Sequence, residues 1–142
     1  MRRRDFLLFD DFVRIAEWKT RRQKGRYPLN RNYVEDVTGL AFRQYNERRK
    51  IALLCTMDGV DVPVASAILH FGYDATYPIM DVRAVWTLWN VKGAHHCQDR
   101  NWVRYLDDCR NTADYYDVTV RELDKALWQY SFEHNRNLNR SG

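Results

Sequence analysis

The residues with chemical potential in this chain are concentrated between positions 53 and 88, LLCTMDGVDVPVASAILHFGYDATYPIMDVRAVWTL. Gly59, Val60 and Asp61 stand just ahead of one apolar segment, VPVASAILHF, and Asp81 stands just ahead of another, VRAVWTL. Glycine reaches backbone angles closed to other residues and proline suits the first turn of a helix, so Gly59 and Pro63 mark a tight turn between two helices. Val62 and Val64 open the second of them. In such a hairpin the turn amides and the second helix's N-terminus point outward together. They form an anion site that can hold a DNA phosphate without reading sequence. Asp81 occupies a position that aspartate favours as a helix N-cap, whatever else its carboxylate does.

Other residues carry weaker signals. Lys19, Arg21, Arg22, Lys24 and Arg26 surround Gly25 where the first helix stops, and they either complement its C-terminal dipole or touch phosphate. Residues 1–50 hold 14 Lys/Arg against 7 Asp/Glu, whereas residues 51–142 hold 9 against 12. Positive charge gathered at one end of the chain attracts polyanions, so nucleic acid is a natural partner, though a solvated helix face is the plainer explanation. Arg83, two residues after Asp81, is placed to meet a phosphate or pair with a carboxylate. Tyr77, Trp86 and Trp89 have faces on which a base could stack, but aromatics at helical spacing are more often core. His70 lies on the hairpin's second helix and reads as a packed or surface histidine rather than a general base. The cysteines, Cys55, Cys97 and Cys109, show no C-x-x-C spacing, and an odd number cannot pair completely within the chain. They are expected as reduced thiols, with no metal and no cofactor, since HHC at 95–97 is too compact for the usual chelating spacing.

These residues need a scaffold, and the apolar periodicity supplies one. Phe6, Phe9, Val13 and Ala16 recur at helical steps from Asp5 to about Arg22, and a second helix is expected through Tyr33, Val34, Val37, Leu40, Ala41 and Tyr45. Trp102, Tyr105, Leu106, Cys109 and Ala113 share one face of a later helix. The last helix begins with Thr119 and Glu122 spaced as a capping box, and Val118 and Leu123 as a hydrophobic staple. No alternating strand pattern and no internal repeat is present. The expectation is one all-α domain of six to eight helices over residues 1–134, with 135–142 a frayed tail. No apolar run approaches the length of a membrane span, and the arginine-rich start is followed by Asp5, Asp10 and Asp11 rather than by a cleavable signal, so a cytoplasmic protein is expected.

The segments MDGVD, VPVASAILHF, YPIMD and VRAVWTL together resemble the helix-hairpin-helix DNA glycosylase superfamily, which includes endonuclease III and the adenine and alkylbase glycosylases. Asp81 follows Gly59 by 22 positions, the interval that family uses between hairpin glycine and catalytic aspartate. The resemblance covers about a quarter of the chain. It implies a DNA-repair enzyme that hydrolyses an N-glycosidic bond, with Asp81 beside the sugar of a flipped nucleotide, where a carboxylate stabilises developing positive charge or orients water. Residues 59–64 would be the DNA-binding hairpin. Pro63 stands where strand-cleaving members carry a Schiff-base lysine, so a monofunctional enzyme is implied. Asp61 replaces the hairpin's last glycine, a position where aspartate tolerates left-handed backbone but brings negative charge towards a phosphate. Only about 50 residues precede the hairpin, fewer than family enzymes use to open the duplex and line a base pocket. The alternative is therefore a non-catalytic module of the same fold that binds DNA or a protein.

Overall fold

In the computed structural model, which describes residues 5–135, the chain forms seven α-helices and two short 3-10 turns. The helices are α1 (Phe9–Lys19), α2 (Val34–Phe42), α3 (Glu47–Leu54), α4 (Val62–Gly72), α5 (Val82–Trp89), α6 (Asp99–Tyr116) and α7 (Val120–His134); the 3-10 turns are Tyr27–Asn30 and Ala94–His96. Four helices start on a side chain that accepts a hydrogen bond from a first-turn amide: Asn46 for α3, Asp61 for α4, Asp81 for α5 and Thr119 for α7. Thr119 and Glu122 form the reciprocal capping box, each side chain bonding the other residue's backbone N–H at 3.0 Å.

The core is organised around α4, which is apolar on nearly every side and buries all but Pro63 and Phe71 of its residues. It packs against α1 and α3; α2 covers α3, α6 joins α3 to α7, and α7 holds α5. Ala65, Ser66 and Ala67 are fully buried, and their small side chains let neighbouring helices approach closely. On α6 the expected face, Trp102, Tyr105, Leu106, Cys109 and Ala113, is the buried one.

The first two expected helices depart from the sequence reading, the first starting at Phe9 rather than Asp5. The first helix ends at Lys19 because Thr20 is extended, at φ −159°, so Arg21, Arg22, Lys24 and Arg26 stand in a loop. The expected second helix is two, since the chain turns at residues 43–46 and Asn46 caps a new start. Among the described residues there is no strand, and no helix is long and apolar enough to cross a membrane. The expected frayed tail lies outside the described residues apart from Asn135.

Candidate functional site

The site is built on the segment Tyr77–Asp81, whose backbone is tied down by side chains from three helices. On α4, His70 Nδ1 lies 2.8 Å from the Tyr77 carbonyl, and Ser66 Oγ accepts the Met80 N–H at 2.9 Å. From α7, Asp124 Oδ2 accepts the Ile79 N–H at 3.0 Å, and from α6 the Tyr105 hydroxyl donates to the Ile79 carbonyl at 3.2 Å. Each clamp satisfies a buried backbone group that water cannot reach. Their joint effect is to fix Asp81 at the start of α5. His70 faces a carbonyl, so Nδ1 is the protonated nitrogen, and burial holds its pKa below the ordinary imidazole value. It is a structural histidine.

Asp81 is a cap with an oxygen to spare. Its Oδ1 accepts the Ala84 N–H at 2.8 Å, while Oδ2 lies 3.9 Å from Lys19 Nζ at the end of α1. The carboxylate is about one-fifth exposed and opens on a cleft of about 460 Å³ that Lys19, Arg22, Asp61, Pro63, Arg83 and Cys97 also line. The fold therefore brings the start of α4 and the start of α5 to one cleft, with cations from the end of α1 and the following loop. Cys97 is not a nucleophile there: burial, and then the Asp81 charge, push its thiol up to about 12.

The turn between α3 and α4 departs from expectation. Only Gly59 takes a left-handed conformation, at φ +78°; Asp61 is extended, at φ −99°. A Cβ on Gly59 would meet Tyr27 Cε1 at 3.0 Å and Arg26 and Gln23 Cβ at 3.2 Å, so the basic loop lies directly on the turn. Asn30 secures that loop by exchanging two hydrogen bonds with the Asp58 backbone, at 2.8 and 2.9 Å, and buried Tyr27 donates its hydroxyl to the Thr20 carbonyl at 3.1 Å. At the start of α4, Asp61 Oδ1 accepts the Val64 N–H at 3.1 Å, Val60 N–H bonds Met57, and Pro63 has no N–H. The anion position expected at the hairpin is thus filled by the chain's own carboxylate.

The remaining sequence candidates divide. Arg21, Arg22, Lys24 and Arg26 are exposed on the loop, Arg26 pairing with Asp58 at 3.4 Å. Arg83 is buried: it donates to Ser131 Oγ at 3.4 Å and to the Asn135 carbonyl at 3.2 Å, and its guanidinium lies over Trp128 and Phe132. It organises α7 rather than reaching out to a phosphate. Tyr77 is also withdrawn, stacked on Trp102 with its hydroxyl on Glu47 at 2.9 Å, so it offers no free face to a base. Trp89 is engaged by Asp108 and Arg104.

Aromatic surface lies elsewhere, on the other side of Asp81. A second cleft, of about 760 Å³, is lined by Trp18, Ile79, Asp81, Ala84, Arg121, Asp124, Lys125 and Trp128 among others. Trp18 and Trp128 are 55% and 41% exposed. At its wall, Asp124 is 6% exposed, and its Oδ1 has no hydrogen-bond partner among the described residues. Burial raises the Asp124 pKa to about 7, the Asp81 charge adds to the rise, and the Ile79 amide and Arg121 oppose it. Sequence reasoning missed this residue. The available signal was a carboxylate on the buried stripe Val120, Leu123, Asp124, Leu127, Ser131 of the last helix. No family model, curated protein or solved structure matches the chain.

Proposed function

We propose that the chain is a monofunctional DNA glycosylase-like enzyme that hydrolyses the N-glycosidic bond of a damaged or modified base, with Asp81 serving the sugar. The observation that carries this reading is the Asp81 carboxylate, immobilised by its cap bond yet presenting a second oxygen to a cation-rimmed cleft. As the base departs, positive charge grows on the sugar, and a fixed carboxylate there stabilises it and accepts a proton from the attacking water. Contacts to the DNA backbone come from Arg21, Arg22, Lys24 and Arg26, with little sequence readout. With Pro63 in the hairpin there is no lysine for strand cleavage at that position. The three free thiols suit the reducing cytoplasm.

The test is base release from duplexes carrying uracil, 8-oxoguanine or alkylated bases, compared between the native chain and Asp81→Asn. Asparagine keeps the cap, so folding and DNA affinity should persist while release is lost; retained release would remove Asp81 from the chemistry.

A second reading has its own support. Asp61 fills the anion position of α4 and Arg26 is partly neutralised by Asp58, which favours a non-catalytic module that binds DNA or a protein. That reading expects no turnover. Binding that weakens steeply with salt points to phosphate, and salt-insensitive binding to a protein interface.

A further inference from the structure

Lys19 stands between the two clefts together with Asp81, and both residues line each of them. It is the last residue of α1, where a cation complements the helix dipole. The backbone there is held in place, because buried Tyr27 donates its hydroxyl to the Thr20 carbonyl at 3.1 Å. What can move is the side chain, a flexible stem carrying a compact charge. That charge lies 3.9 Å from Asp81 Oδ2, the oxygen left over when Oδ1 takes the Ala84 N–H. The two side chains are 17% and 20% exposed, so the pair is open to a ligand entering either cleft.

Placed there, the ammonium works against the chemistry proposed for Asp81. Positive charge growing on the sugar is attracted by the carboxylate and repelled by the lysine, and the two effects oppose each other while Lys19 stays at Oδ2. A nucleotide relieves the conflict. Its phosphates are bonded to the same sugar whose C1′ faces Asp81, so they enter within the sweep of the lysine side chain and compete with Oδ2 for the ammonium. We infer that Lys19 is a specificity residue that masks Asp81 until a phosphate flanking the target sugar draws the ammonium away. The substrate is then a nucleotide phosphorylated at that sugar, as in a nucleic acid strand, and a free nucleoside meets a masked carboxylate. The inference rests on the glycosylase reading and extends it to how a strand is told from a free nucleoside.

This role differs from simple support of the carboxylate. A lysine that only positioned Asp81 would be needed for every substrate alike, and its loss would lower the turnover of all of them. A mask has the opposite effect on a substrate without phosphate, whose kcat/KM rises when the ammonium is removed. With a phosphorylated substrate the ammonium has left Oδ2 and holds the phosphate. Its loss there weakens binding first, raising KM more than it lowers kcat.

The test compares the native chain with Lys19→Met, which keeps an apolar stem without the charge, and Lys19→Arg, which keeps the charge. Uracil, 8-oxoguanine and 7-methylguanine are each presented in a duplex and as the free 2′-deoxynucleoside, and base release is followed by chromatography. For the base that the native chain releases, Lys19→Met should raise kcat/KM on the nucleoside by about tenfold or more and raise KM on the duplex. Lys19→Arg should keep the native preference. Binding of the same duplexes is followed by fluorescence anisotropy over a range of salt, where Lys19→Met should lower the slope of log K against log salt by about 1. Equal loss of turnover on duplex and nucleoside, or no gain on the nucleoside, overturns the mask, even where Asp81→Asn abolishes release and the glycosylase reading stands. An unchanged salt slope overturns the phosphate contact, and the mask with it. If no duplex is turned over, the glycosylase reading fails, and the inference fails with it.

Discussion

Asp124→Asn has a consequence for stability that follows from the burial of its carboxyl group. A folded-state pKa of about 7 against 3.8 for the ordinary carboxyl is a difference of about 3 pKa steps, or about 4 kcal/mol. Between those two values the folded chain keeps a proton that the unfolded chain has released. Unfolding free energy therefore falls as pH rises from about 4 to about 7 and the Asp124 contribution then levels off. Asparagine does not titrate, and its side-chain oxygen can still take the Ile79 N–H. Urea unfolding of the native chain and Asp124→Asn at pH 4.5, 6 and 8 isolates the effect, because other titrating groups largely cancel in the difference. The variant should gain on the native protein as pH rises, by up to about 4 kcal/mol at pH 8. Adding Asp81→Asn should move the window to lower pH, since the Asp81 charge helps to raise Asp124. A difference between the two proteins that is constant from pH 4.5 to 8 would refute the argument that burial holds Asp124 protonated.

Other perturbations test the scaffold and the cleft. Gly59→Ala forces a side chain into left-handed backbone against Tyr27 and should cost about 1 to 2 kcal/mol in denaturant unfolding. Thr119→Ala breaks the capping box of α7 and should cost about 1 kcal/mol by the same measurement. Ser66→Ala leaves the Met80 N–H without its acceptor, with an expected loss of about 1 to 3 kcal/mol. Asp61→Asn keeps the cap of α4 but removes a negative charge from the first cleft; DNA binding in a fluorescence-anisotropy titration should tighten, most clearly at low salt.

The helical class, the two closing helices and the capping box were legible because they depend on local rules: apolar residues at helical steps and a polar residue where a helix starts. Asp81 was readable for the same reason. The surroundings of Tyr77 and Arg83 were left open because an aromatic ring or a cation next to a promising aspartate looks the same in sequence whether it faces solvent or core. Their partners, Trp102, Ser131 and Asn135, lie 25 or more positions away. Asp61 looked like a substitute for a flexible glycine, yet its extended backbone makes it a cap, with Gly59 alone taking the positive φ.

By itself, the sequence determined which segments become helices, where several of them start, and that Asp81 opens one of them. Only the tertiary structure decided that Lys19 meets Asp81 across the fold, that the basic loop covers the turn at Gly59, and that Asp124 approaches the same site from the last helix. Capping and periodicity act over three or four residues and leave a local trace. The environment of a carboxyl group is set by what packs against it, here groups up to 45 positions away in the chain, and no local pattern records that.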